Sequence, residues 1–286
     1  MKTLREYITE AEEKKVAIGH FNISDSVGFW AVVNAAKNLN LPVIIGVSEG
    51  ERDFIGVKQV KALVETLKSE GMPIFLNADH TYSLEKVKEV VDAGFDACTV
   101  DGAEKPFEEN LKITKESVDY AKNKNPDILI EAELGFIGKS SKLLDVLPEE
   151  IEVSDDTLTK PDEAKEFVEQ SGVDLFAPAV GNIHGMVKGG NPKINIERVK
   201  AIREATGVPL VLHGGSGITD EEFRQAIIAG ISIIHINTEL RLAHRQGLQK
   251  FISENPDEIA PYKYMKLARE QMRAVVQKRL ALFNNL

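Results

Sequence analysis

Three histidines stand at the ends of apolar runs in a chain of 286 residues: His80 in NADH, His184 in GNIHG and His213 in VLHGG. Imidazole suits a borderline cation such as Zn²⁺, and a catalytic site of that kind takes three protein ligands and keeps one position open. The three are far apart in sequence, so they share an ion only if the fold gathers strand ends. Asp79 directly precedes His80. If the strand persists that far, the pleat turns these two side chains in different directions, one towards a metal and the other towards substrate as a general acid/base. Glu133, in IEAELG, offers a further ligand or proton acceptor, or else a buried ion pair together with Glu131 on the same strand face. HGGSG at 213–217 presents clustered backbone N–H groups just before a helix, an arrangement that suits a phosphate. Ser216 and Thr238 would add hydroxyls there, and Lys188 a matching cation.

These residues need elements to position them. Eight short apolar runs cover 16–22, 42–48, 73–79, 95–102, 127–134, 173–181, 208–214 and 231–238. Most are nearly continuous in Val, Ile, Leu, Phe and Ala, as parallel strands covered on both faces require. Between them, stretches such as VKQVKALVETLKSEG and SLEKVKEVVDAG space apolar residues by three and four and stop at Gly. Thr219 and Glu222 have capping-box spacing. Eight such units predict a (β/α)₈ TIM barrel, with a doubly wound sheet as the alternative because periodicity does not report closure. The expected organisation is a single barrel domain over 1–286. Residues 135–160 form an unusually long connection, read as a mobile active-site loop, and 261–286 an extra C-terminal helix. In a barrel the active site lies at the C-terminal strand ends. Asn22, Ser48, Asp79, His80, Asp101, Glu133, His184, His213, Asn237 and Thr238 all fall there. His20, inside the first run, and His244, on a charged helix, read as structural.

The formal net charge of −10 argues against generic nucleic-acid binding, though a local ring of amides and cations still accommodates a small phosphorylated substrate. The N-terminal MKTLREYITEAEEKK reads as a charged amphipathic helix rather than a signal peptide. No apolar run is long enough to span a membrane. One cysteine, Cys98, permits no internal disulfide and fits a reducing cytoplasm; in FDACTV it reads as a buried structural thiol. A metal, a carboxylate and a phosphate cradle together suit chemistry beside the carbonyl of a sugar phosphate. The eight runs contain no lysine, so a Schiff-base route through a strand lysine has no support.

Along its whole length the chain resembles the class II, zinc-dependent ketose-bisphosphate aldolases, the group of fructose- and tagatose-bisphosphate aldolases. The resemblance rests on FN (21–22), DH (79–80), DGAEKPFEEN (101–110), IEAELG around Glu133, HGMVK (184–188), LHGGSG (212–217) and NTEL (237–240). It implies a barrel, a catalytic Zn²⁺ and reversible cleavage of a ketose bisphosphate to dihydroxyacetone phosphate and an aldehyde, a step of glycolysis and gluconeogenesis. By motif, His80, His184 and His213 would hold zinc, Asp79 would act at the substrate C4 hydroxyl and Glu133 would lie near the metal. Gly185, Lys188, Gly214, Ser216 and Thr238 would bind the dihydroxyacetone-phosphate phosphate, with the Gly185 and Gly214 carbonyls also implicated in holding a monovalent cation, Na⁺ or K⁺. Asn22 and Ser48 would line the substrate pocket. Arg273, assisted by Lys263, would be lent by a neighbouring subunit to the second phosphate, which implies a homodimer or homotetramer.

Three departures from the family pattern stand out. Asn77 replaces the first histidine of HxDH. FIGKSSKLLD replaces a glycine pair and an acidic pair, with Ser140 and Ser141 near the acidic positions, leaving Asp145, Glu149 or Glu150 to reach in or another base to act. His235 replaces a substrate-contacting asparagine, and reads as a substitute contact with Asn237 sharing the role. The reading is a fructose-1,6-bisphosphate aldolase. The alternatives are a tagatose-bisphosphate aldolase, a sugar-phosphate-binding barrel that has lost proton transfer, and a metal-independent phosphosugar isomerase.

Overall fold

The computed structural model describes residues 2–138, 141–147 and 153–286. The apolar runs form strands β1 Ile18–Asn22, β2 Val43–Val47, β3 Ile74–Thr81, β4 Ala97–Val100, β5 Leu129–Leu134, β7 Leu175–Pro178, β9 Leu210–Leu212 and β10 Ile231–Ile236. Two short strands, β6 Leu143–Leu144 and β8 Met186–Val187, pair only with each other. The first eight close into a parallel barrel in the order β1-β10-β9-β7-β5-β4-β3-β2. The doubly wound alternative therefore falls: β1 pairs with β10, and His20 lies opposite His235.

The helices are α1 Leu4–Lys14, α2 Ser26–Leu39, α3 Glu49–Ile55, α4 Val57–Ser69, α5 Leu84–Asp92 and α6 Phe107–Lys124. They continue with α7 Pro161–Ser171, α8 Ile196–Thr206, α9 Asp220–Ala229, α10 Thr238–Glu254, α11 Pro261–Tyr264 and α12 Lys266–Phe283. None of the described helices is long and apolar enough to cross a membrane. The capping box at Thr219 and Glu222 is formed.

Two apolar layers hold this frame. The larger packs the outer faces of the strands against the ring of helices. The smaller fills the barrel's lower interior, where Leu4, Ile8 and Ala11 of α1 meet Ile44, Phe75, Leu129 and Ile233. Residues 4, 8 and 11 recur at helical spacing on one face, so α1 seals the base; burying each large aliphatic side chain there contributes about 1.5–3 kcal/mol. At the closure seam the Ala17 N–H donates to the Phe283 carbonyl, which ties the end of α12 to the start of β1. The base is thus sealed with apolar side chains, and the polar residues are left at the other rim.

Candidate active site

One cleft at the C-terminal rim is lined by most of the residues singled out in the sequence. Asn22, Ser48, Asp79 and His80 come from the first three strands, and His184 and Gly185 from the loop after β7. His213, Gly214, Ser216, His235, Asn237 and Thr238 complete it. Tyr82, Asp101, Gly138, Ser141, Gly215 and Arg241 line it as well.

The pleat does not separate Asp79 from His80 as expected. His80 has φ +41°, in the left-handed region that non-glycine residues rarely enter, and the β3–β4 register shifts between Ala78 and Thr81. Both side chains consequently face the cleft, with His80 Nε2 3.8 Å from Asp79 Oδ1. A left-handed histidine costs about 1–3 kcal/mol and persists only where its surroundings impose it. Here the restraint is Arg52, a buried arginine of α3. Its guanidinium donates to the Val47 carbonyl (2.6 Å), the Asp79 carbonyl (3.0 Å) and Thr81 Oγ1 (3.2 Å), clamping the backbone on both sides of His80.

His80, His184 and His213 each bring one ring nitrogen within 4.8 Å of the others. The second nitrogen of each ring is committed elsewhere. His80 Nδ1 lies 2.8 Å from Asp101 Oδ2, His184 Nδ1 2.5 Å from the Gly138 carbonyl, and His213 Nε2 2.6 Å from Glu131 Oε1. His80 Nε2, His184 Nε2 and His213 Nδ1 remain for an ion, and His213 Nδ1 is buried without a protein partner. Rings fixed at one nitrogen by a carboxylate or carbonyl and open at the other are what a histidine metal site requires. The donor set therefore fits a divalent cation such as zinc. His20, Asp79 and His235 also come within ligating range of one another. The His20 and His235 rings are stacked with centroids 3.4 Å apart and planes 4° from parallel. An ion bonds in the plane of an imidazole, so two rings stacked face to face are poorly aimed at a common one.

Electrostatics separates these groups. Burial works against charge on His80, but Asp79, Asp101 and Glu133 outweigh it and hold the metal-free imidazole well above its ordinary value. Burial would likewise raise Asp79; His80 and His235, whose Nδ1 is 3.3 Å from Asp79 Oδ1, instead hold that carboxyl well below the usual carboxylate range. Burial pushes His20 down to about 4, and burial with the neighbouring His20 and His213 holds His235 well below its ordinary value. Asp79 is thus an ionised carboxylate, oriented by the Asn22 amide (2.9 Å), with a neutral histidine at its side.

The HGGSG turn offers fewer amides than its sequence suggests. The Gly215 N–H donates to the His235 carbonyl and the Gly217 N–H to Glu239 Oε1. Gly214, Ser216 and Thr238, the first residue of α10, line the cleft, a helix terminus being itself favourable for an anion. Gly214 has φ +63°, and a Cβ there would meet the Ile183 carbonyl at 2.2 Å, so the turn needs glycine to approach the GNIHG loop. Glu133 lies behind His80, with Oε2 3.4 Å from His80 Nδ1, and lines an adjacent cavity rather than the cleft. Lys188 does not line the cleft; it pairs with Asp145 at 2.5 Å, and both side chains are exposed. Asp145, one proposed replacement for the missing acidic pair, is therefore turned to Lys188. Ser140, Glu149 and Glu150 lie outside the described residues, as does part of the 135–160 connection. Arg273 pairs with Glu270 and Lys263 with Glu258, and neither lines the cleft of its own chain.

A family model described as fructose-bisphosphate aldolase class-II matches residues 2–286. The chain belongs to this family. It is 36% identical to a fructose-bisphosphate aldolase of Geobacillus stearothermophilus over 288 residues, covering 99% of this chain and 96% of that protein. Among solved structures, the YdjI aldolase of Escherichia coli K12 is 31% identical with a TM-score of 0.81, covering 99% of this chain and 97% of that one. The fructose-bisphosphate aldolase of Campylobacter jejuni has a TM-score of 0.82 at 22% identity, covering 98% and 94%, and so shares the fold. The chain is accordingly an aldolase, a carbon–carbon lyase of a family that acts on small sugar phosphates and is generally zinc-dependent.

Sequence reasoning passed over Arg241, Arg52 and Glu51. All three sit on helices that directly follow barrel strands, and their charges resemble those of solvated helix faces. A signal for Glu51 was present: Ser48-x-x-Glu51 at the end of β2 is capping-box spacing, which folds the glutamate back onto the strand end.

Proposed function

We propose that the chain catalyses zinc-dependent, reversible aldol cleavage of a ketose phosphate, with dihydroxyacetone phosphate as the three-carbon product and fructose 1,6-bisphosphate, named for its relatives, as the reference substrate. Three imidazoles that converge on one rim beside an ionised Asp79 are the observation that carries this reading. His80, His184 and His213 would hold the cation, which when bound supplies Lewis-acid polarisation of the substrate carbonyl. The Gly214 and Ser216 amides and the Thr238 terminus would hold the phosphate at C1. Asp79 would accept the C4 hydroxyl proton as the C3–C4 bond breaks, the bonding pair passing towards the C2 carbonyl and the aldehyde departing. The enediolate left behind takes a proton at C3 from water to become dihydroxyacetone phosphate, and in condensation, after that C3 proton is lost again, the Asp79 carboxyl returns its own to the new C4 hydroxyl. Asn22 and His235 keep the Asp79 oxygens oriented, and His235 thus acts through Asp79 as well as lining the cleft.

The test is hydrogen exchange at C3 of dihydroxyacetone phosphate in D₂O, alongside cleavage of the reference substrate. Zinc-loaded enzyme should exchange and cleave, a chelator should abolish both, and added zinc should restore them. In Asp79→Ala, cleavage should fall by about 10²–10⁴-fold, the usual contribution of general acid/base catalysis, with zinc content unchanged. Exchange that survives complete metal removal would overturn the reading.

A further inference from the structure

Behind the cleft wall formed by Asn22, Ser48 and Arg241, on which the aldehyde half of the substrate would lie, is a buried carboxylate with no part in the chemistry above. Glu51 is 5% exposed. Its Oε2 accepts from Asn22 Nδ2 (2.9 Å), the Ser48 N–H (2.8 Å) and Ser48 Oγ (2.9 Å). Its Oε1 accepts from Arg241 Nη2 at 2.7 Å and lies 3.4 Å from Ser24 Oγ. Three donor-bearing residues of this chain that line the cleft here, Asn22, Ser48 and Arg241, are thus gathered around one carboxylate. The other Asn22 amide bond is spent on Asp79, and the charge of Arg241 is neutralised where it enters the cleft.

A terminal phosphate brings acceptors and about two negative charges. At this wall it would meet donors already occupied by the buried carboxylate behind them, and like charges close together in a partly desolvated cleft repel strongly. Displacement is not an easy escape. An exposed pair such as Lys188–Asp145 opens at little cost, whereas freeing the donors of Glu51 leaves a buried carboxylate without partners. A hydroxyl is suited to the wall as it stands, since it brings no charge towards Glu51 and accepts from the outer N–H groups of Arg241, which lines the cleft and whose side chain is 45% exposed.

We propose that Glu51 is a specificity-determining residue that selects an unphosphorylated, hydroxylated aldehyde, so that the preferred substrate is a ketose 1-phosphate with a neutral far end. This inference rests on the aldolase reading above and narrows its substrate. The matched pair for the test is D-glyceraldehyde and D-glyceraldehyde 3-phosphate, which differ only in the terminal phosphate. Each is condensed with dihydroxyacetone phosphate by the zinc-loaded enzyme, and kcat/KM is measured for both. The unphosphorylated aldehyde should be favoured by roughly tenfold or more, the scale on which one misplaced charge discriminates between substrates. In Glu51→Gln that ratio should move several-fold towards the phosphorylated aldehyde, a comparison internal to each enzyme and so insensitive to a general loss of activity. Preference of the wild type for the phosphorylated aldehyde, or an unchanged ratio in Glu51→Gln, would overturn the inference. If the variant does not fold, the wild-type ratio decides alone. Hydrogen exchange into dihydroxyacetone phosphate without condensation of either aldehyde would sink the inference and leave the aldolase reading standing, while loss of exchange as well would remove both.

Discussion

The three rim imidazoles differ in what steadies them: a carboxylate for His80, a backbone carbonyl for His184 and a second, deeper carboxylate for His213. Only the first can be removed without cutting into the barrel interior, because Asp101 sits at the rim whereas Glu131 is 2% exposed. Asp101→Ala should therefore weaken zinc binding by about 10–100-fold, the usual effect of losing a partner to a metal-bound histidine, while the fold persists. Competition against a chromophoric chelator measures this, and an unchanged affinity would show that Asp101 does not orient His80. At this scale the sequence was legible where chemistry dictates residue type. A metal of this class wants imidazole and a phosphate wants small residues with accessible amides, so His80, His184, His213 and Gly214 could be picked out. Glu51 and Arg241 were passed over because their role lies in contact with each other, 190 positions apart in the chain.

Among the elements, β3 best shows how a local rule gives way to packing. Alternation along a strand is a property of extended backbone, and it fails at His80 because that residue is held in a left-handed turn. Nothing in NADH announces such a turn, since the restraint comes from Arg52 on another element. Lysine at this position would keep the charge but lacks the planar fork that reaches two carbonyls and a hydroxyl at once. Arg52→Lys should lower stability by about 1–3 kcal/mol, the cost of leaving buried acceptors unpaired, and should weaken zinc binding in parallel. Calorimetry and metal titration on the same sample check the two together, and loss of stability without loss of zinc affinity would show that the clamp does not hold the ligand. The eight barrel strands were legible because continuous apolar runs bounded by helical patterns have few other solutions. The β6–β8 ladder was not: two residues on each side carry no periodicity, and their pairing joins the long connection to the HGMVK segment.

Considered as a whole molecule, a chain of net charge −10 that handles anionic sugars must concentrate its favourable field in a small region, and on the proposed reading the α10 terminus with the Gly214 and Ser216 amides would be that region. The overall class was readable from eight repeated units, but closure was not, because the pairing of the first strand with the last leaves no trace in either one. Closure makes the barrel protect what lies on its strands. Cys98 of β4 is fully buried, and burial pushes its thiol up to about 11, so at pH 8 only on the order of one thiol in a thousand would be ionised. Labelling by a thiol reagent at that pH should be negligible in native buffer and should rise with global unfolding followed by circular dichroism. Rapid labelling of the native enzyme would mean that the wall opens locally. The His20–His235 stack belongs to the same seam, since its two rings come from β1 and β10. In magnetic terms each imidazole lies over the face of the other, where the ring current of one shields the protons of its neighbour. The spectrum of this pair is therefore a built-in gauge of whether the two ends of the sheet are joined.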